Sequence, residues 1–298
     1  MKPTHTPSPL EVVRNATVDR RNFMRKASLL GIGAAASGVL LTSRPASAAA
    51  AAPQVNPYQQ QDTTAEIFTA FLIAEDLATT FYYNGLVGSV IQDRNLAGPA
   101  GSAAHPSASG NAGNVDYLRA ALTEEISHAD VFRAGLGLSS PAADPYQTFY
   151  FPNGTFNTLP AFLGILNALE NAFIGAYLNV IQEMSYKAAL ARAGQLTGAD
   201  AKYSANDYEY FAKVAASILG IEAEHRVLGR VIGNENPANN LAYEQLDGIM
   251  SIYNGPNSAV AALTPFLTPS TGPGFSLGTA LANQSSVSLP VSGSYPTD

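Results

Sequence analysis

The chain has 298 residues, 46% of them hydrophobic, which is enough to build a core and too many for a disordered chain. Net charge is −7, but the first 48 residues hold seven of the 16 basic and two of the 23 acidic side chains, so the remainder carries nine basic against 21 acidic groups. An acidic body of this kind argues against nucleic acid or an anionic membrane as partner. The absence of cysteine excludes disulfides and thiolate metal sites.

Taken in chain order, the first feature is Asp19-Arg20-Arg21-Asn22-Phe23-Met24-Arg25, followed by a Gly/Ala-rich apolar stretch from Ala27 to about Leu41 and by Ala46-Ser47-Ala48. The paired arginines with Phe23 resemble a twin-arginine export signal, with Asp19 in place of the usual Ser or Thr and Met24-Arg25 in place of Leu-Lys. Residues 1–48 are therefore expected to be a cleaved leader, and the mature protein periplasmic or extracellular. The apolar run of about 15 residues is short of the roughly 20 needed to span a bilayer, so no stable membrane insertion is expected after cleavage.

Residues 49–62, rich in Ala, Pro and Gln, read as a flexible segment. A first helix is expected from Thr63, where Thr63-x-x-Glu66 forms a capping box, to about Asp93. Leu96 to Asn114 is a Gly/Ala/Ser-rich connection in which His105 is read as a solvated loop residue. A second helix spans about 115–135. Residues 138–157, with three prolines and Gly154, form a long connection. A third helix starts near Thr158 with Pro160 in its first turn and runs to about Arg192, before Gly194. A fourth runs from Asn206, with Asn206-x-x-Glu209 as its capping box, to about Ile232. Residues 63–233 thus form one helical unit, and 234–298 an irregular extension with short helices at 240–252 and 257–267 and extended coil beyond.

The chemistry lies in six residues: Glu75, Glu125 with His128, Glu170, and Glu222 with His225. Two of the three histidines beyond residue 48 follow a glutamate by three positions. Glu75 precedes Glu125 by 50 residues and Glu170 precedes Glu222 by 52, so a helix bearing one carboxylate followed by a Glu-x-x-His helix occurs twice. Positions i and i+3 lie about 60° apart on a helix, so each Glu-x-x-His can reach one ion from successive turns. All six share their faces with apolar residues: Phe68, Phe71, Leu72, Ala78 and Tyr82 around Glu75; Leu118, Leu122, Ala129 and Phe132 around Glu125; Leu163, Leu166, Phe173, Ile174 and Tyr177 around Glu170; Ala215, Ile218, Leu219 and Gly229 around Glu222.

Four ionised carboxylates in an apolar core would each cost several kcal/mol and repel one another. Two divalent cations neutralise them. Carboxylate and imidazole donors together suit iron or manganese, with zinc also compatible, and the sequence does not choose among them.

This arrangement resembles the ferritin-like di-iron and di-manganese carboxylate proteins, in which two helices each bring a Glu and the other two each bring Glu-x-x-His. The resemblance covers roughly residues 63–233. It implies an all-α, ferritin-like four-helix bundle with one long crossover connection, in which Glu125 and Glu222 bridge the two metals, Glu75 and Glu170 are terminal ligands, and His128 and His225 each take one ion. Glu222-x-Glu224-His225-Arg226 and the export signal are most similar to bacterial ferritin-like proteins related to plant desiccation proteins. The function so implied is an exported dinuclear metalloprotein reacting with dioxygen or peroxide, oxidising iron or handling peroxide. The alternatives are a manganese catalase-like enzyme and a stress-protective envelope protein with a structural metal site; a homo-oligomer is compatible with each.

Around these ligands, Glu124 and Glu224 are read as surface carboxylates, one step of rotation off the ligand face. Arg226 is read as a surface or near-site cation. Asp130 is considered as a partner for a ligand histidine. Tyr82 and Tyr177, each seven residues after a glutamate, are read as core tyrosines with satisfied hydroxyls in preference to groups that bond a ligand.

Overall fold

The computed structural model describes residues 62–237, 250–269 and 272–289. The expected export signal, nearly all of the segment at 49–62 and most of the expected helix at 240–252 lie outside these residues. Four long helices dominate: α1 (Thr64–Val87), α2 (Ala112–Gly135), α3 (Leu159–Arg192) and α4 (Ala205–Ile232).

Each start has a local cause. Thr63 accepts from the Glu66 amide while the Glu66 carboxylate accepts from the Thr63 amide, closing the expected capping box. Asn111 caps α2, and α3 opens at Leu159-Pro160. The fourth start corrects the sequence reading. Ser204 and Asp207 form the capping box, and Glu209 instead pairs with Arg192 at the end of α3. Ser204 has the extended backbone that an N-cap needs, whereas Asn206 is already helical.

The first helix also ends sooner than Asp93. Gly88 is extended at the C-cap, and a 3₁₀ turn over Ser89–Gln92 follows. A Cβ on Gly88 would lie 2.9 Å from the Phe156 Cβ, and the Val90 amide donates to the Phe156 carbonyl at 3.0 Å. The chain is turned there by the crossover packed against it.

The helix directions follow from which ends meet. Phe132 near the end of α2 packs on Phe68 and Phe71 near the start of α1, so these two are antiparallel. Gly229, late in α4, faces Leu166 and Asn167, early in α3, so the second pair is antiparallel too. A Cβ at Gly229 would lie 2.4 Å from Leu166 Cδ2, which explains a glycine at this close approach. Phe81, late in α1, stacks on Phe162, early in α3, with centroids 4.6 Å apart. The second and third helices therefore run parallel, joined by the long connection, as one crossover requires. By length and composition α3 could cross a membrane, but most of its apolar stretch is buried inside the bundle and it carries Glu170.

The connection and the tail are more ordered than the sequence suggests. Strand β1 (Thr148–Tyr150) pairs antiparallel with β2 (Gly274–Ser276), in the register Thr148↔Ser276, Phe149↔Phe275, Tyr150↔Gly274. Phe151, fully buried, touches Phe81, Phe156, Phe266 and Phe275, so the tail closes one end of the bundle with an aromatic cluster. Short helices α5 (Ala259–Leu263) and α6 (Leu277–Asn283) lie against the main helices. Residues 287–289 run along α2, where Arg119 donates to the Val287 and Ser288 carbonyls.

At the other end of the bundle a buried acid, Glu183, makes stability pH-dependent. Glu183 accepts from the Asn179 amide at 2.7 Å, yet burial, followed by the charge of Asp62, pushes its carboxyl from 4.5 to about 8 against the pull of Asn179 and Lys187. A group whose folded pKa is raised adds stability that is complete below its unfolded pKa and lost as pH rises through the folded one. The loss here spans pH 4.5 to about 8 and is on the order of a few kcal/mol. Glu183→Gln should flatten that slope, read as urea midpoints at pH 6 and pH 9; an unchanged slope in the variant would reject the assignment.

Candidate metal centre

The six residues picked from the sequence meet at mid-bundle. Glu75 and Glu170 come from α1 and α3, Glu125 with His128 from α2, and Glu222 with His225 from α4; all are at most 1% exposed. They divide into two groups, Glu75, Glu125, His128 and Glu222, and Glu125, Glu170, Glu222 and His225. Within each group one donor atom per residue lies within 4.8 Å of the others.

Two carboxylates occur in both groups, and each divides its oxygens between them. Glu125 Oε2 is 3.6 Å from His128 Nδ1, and its Oε1 is 3.1 Å from His225 Nδ1. Glu222 Oε1 is 3.2 Å from His128 Nδ1, and its Oε2 is 3.5 Å from His225 Nδ1. Glu75 Oε2 lies 3.4 Å from His128 Nδ1, and Glu170 Oε1 lies 3.8 Å from His225 Nδ1. All four oxygens of Glu125 and Glu222, and both Nδ1 atoms, are buried without a hydrogen-bond partner. Buried polar atoms are rarely left so. An orphaned donor set of four carboxylates and two imidazoles fits divalent cations with a preference for oxygen and nitrogen.

Electrostatics express the same conflict. Burial first, then the charges of Glu222 and Glu125, raise Glu75 well above the usual carboxylate range, and burial with Glu222 does the same to Glu170. Burial alone would also raise Glu125, but the two imidazoles outweigh it and hold that carboxyl well below its ordinary value. Burial would lower His128 and His225, yet the surrounding carboxylates lift both well above the usual imidazole range. In the absence of cations, protons are drawn into the cluster.

Residues 63–206 match the family model of the ferritin-like domain, and the chain folds as an all-α ferritin-like bundle. The matched stretch stops two residues into α4, so Glu222 and His225 are placed in the cluster by the fold alone. No curated protein and no solved structure matches the chain.

Three readings of residues around this centre are corrected by the structure. Tyr82 donates to Glu170 Oε1 at 2.6 Å and Tyr177 donates to Glu75 Oε1, so each tyrosine of one half holds the carboxylate of the other. Both phenols are raised well above their usual range, by burial first and then by the nearby carboxylate charges. Glu124 is not a bystander on the surface. Its Oε2 lies 2.9 Å from His225 Nε2 and it is only a quarter exposed. The 100° step that takes it off the Glu125 face turns it towards α4, which could have been foreseen from the bundle arrangement. Asp130 is exposed and pairs with Arg133, not with a histidine. Glu224 and His105 are exposed, as expected, and Arg226 is buried.

The sequence reading missed one charged cluster altogether. Arg133 of α2 donates to Asp144 of the crossover at 2.8 Å and to Asp76 of α1 at 3.1 Å, all three buried. Asp76 follows Glu75 directly but is turned away to meet Arg133, and so belongs to the scaffold of the centre.

Proposed function

We propose that the chain is an exported dinuclear metalloprotein that oxidises iron or handles peroxide at the centre formed by Glu75, Glu125, His128, Glu170, Glu222 and His225. The observation that carries this reading is the division of Glu125 and Glu222, each offering one unpartnered oxygen to either group. Glu125 and Glu222 would bridge two ions, Glu75 and Glu170 would be terminal ligands, and each histidine would bind one ion through Nδ1. Two adjacent iron or manganese ions supply a pair of electrons to one oxygen substrate.

The protein's own part is to hold this donor set in a buried interior. Tyr82 and Tyr177 fix the two terminal carboxylates and occupy one oxygen of each, leaving Glu75 Oε2 and Glu170 Oε2 without a partner. The phenols are the nearest hydroxyl protons to those carboxylates and stay protonated at neutral pH. Deprotonated ligands are required for binding, so metal uptake releases protons and weakens in acid.

The deciding experiment is metal content per chain in protein taken from its exported fraction, with ferrous-iron and peroxide turnover on the same sample. Two ions with turnover support the proposal, and the metal found separates an iron enzyme from a manganese catalase-like one. Metal without turnover replaces it with a structural, stress-protective role. No metal after reconstitution overturns it.

Export rests on Arg20 and Arg21. A chain carrying Arg20→Lys and Arg21→Lys should accumulate inside the cell as uncleaved precursor. Normal cleavage and release of that variant would rule out the twin-arginine route.

A further inference from the structure

The two halves of the centre match in their ligands but not in what stands behind them. His225 is held from its far side: Nε2 lies 2.9 Å from Glu124 Oε2, and the ring sits edge-on to Tyr82 at 5.6 Å. His128 is equally buried, but its Nε2 has no hydrogen-bond partner. The difference can be traced to one position. Glu124 immediately precedes Glu125 on α2, and the equivalent residue before Glu222 on α4 is Ile221. The repeated ligand pattern therefore carries a backing carboxylate at Glu124 and an apolar residue, Ile221, at the equivalent position.

A neutral imidazole binds an ion through the nitrogen that lacks the proton, and a carboxylate bonded to the other nitrogen fixes that tautomer and raises ligand basicity. A carboxylate 2.9 Å from Nε2, as Glu124 is, favours the tautomer with the proton on that nitrogen and leaves Nδ1 facing Glu125, Glu170 and Glu222. Among the described residues no protein group makes this choice for His128, whose Nε2 has no hydrogen-bond partner. Removing a carboxylate behind a ligand histidine lowers metal affinity about 10–100-fold.

We propose that the two metal positions are unequal, with the Glu125/Glu170/Glu222/His225 position filling first and tightly, and the Glu75/Glu125/His128/Glu222 position filling second and exchanging more freely. This rests on the dinuclear reading above. Glu124 is the positioning residue that sets the order. The labile position is the one whose terminal carboxylate, Glu75, is bonded by Tyr177.

The test is calorimetric titration of the metal-free full-length protein with manganese(II), which reads binding without turnover. The parent protein should show two steps of one ion each, separated by about 10–100-fold in affinity. Glu124→Ala should weaken the tight step by about that factor and leave the second unchanged, merging the two. Because Glu124 is partly exposed, the truncation should leave the fold intact. Ile221→Glu supplies the missing carboxylate behind His128 and should strengthen the weak step alone. Two equal steps in the parent protein, or equal weakening of both steps in Glu124→Ala, would overturn the inequality while leaving the dinuclear centre standing. No binding at either position would overturn both.

Discussion

Replacing both Glu125 and Glu222 with Gln should abolish the binding of two ions per chain and, with it, any rise in thermal midpoint when metal is added. Gln keeps the shape of Glu, so the loss comes from charge and donor strength rather than from a cavity. Both positions lose their shared ligands at once, because each of these carboxylates gives one oxygen to either group. Ligand that binds only the folded state stabilises it by about 4 kcal/mol for each ion present at a thousandfold excess over its Kd. Against a background of about 2–4 °C per kcal/mol for a domain of this size, that is a shift of roughly 10 °C or more for each tightly bound ion. In the metal-free state, Glu222→Gln alone should be no less stable than the parent, since the Glu222 charge is among those that raise Glu75 and Glu170. Metal analysis and melting of the parent and both variants check each part; two ions retained in the double variant would sink the ligand assignment.

The second large effect is expected at Arg133. Its guanidinium joins three parts of the chain, donating to Asp144 in the crossover, to Asp76 on α1 and to Asp130 on its own helix. Asp76 is raised well above its ordinary range by burial and then by Asp144, with Arg133 pulling the other way. Arg133→Met would leave two buried aspartates facing each other without a cation. Breaking a buried pair in this manner costs about 3–5 kcal/mol, roughly 10 °C in midpoint for a domain of this size. Replacing Asp76 and Asp144 by Leu in the same chain should recover most of the loss, because an apolar substitute for a whole buried ion cluster is often neutral or better. A single Arg133→Met variant that melts with the parent protein would show that the cluster is solvated in solution and contributes little.

How much of this was legible in the sequence depends on how far each signal reaches along the chain. The bounds of α3 were readable because Thr158, Pro160 and Gly194 punctuate them locally, and the start of α1 because Thr63 and Glu66 complete their box within one turn. The six ligand positions stood out because each is a charge placed within an apolar stripe. The start of α4 was misplaced by two residues because two boxes of similar composition overlap there, and backbone geometry alone selects Ser204. The tyrosines were under-read for a different reason. Their partners lie 88 and 102 residues away on the opposite helix, a relation that no periodicity encodes. Glu124 was judged by its rotation relative to its own helix, when its role depends on which helix lies beside it. The strands of the crossover and tail are three residues each, too short for alternation to show.

The pairing of β1 with β2 has a consequence for the order in which the chain can assemble. Each helical pair has its contacts within one local stretch and can form early. The crossover that sets one pair against the other is stapled by residues 274–276, more than 120 positions after the segment they meet. On a ribosome releasing the chain from its N-terminus, both hairpins are complete long before that staple emerges, and the aromatic end of the bundle stays uncovered until Phe266 and Phe275 arrive. The part that closes the bundle is therefore made after the whole ligand set, and a chain broken off before residue 266 would hold all six ligands in a protein with an open end.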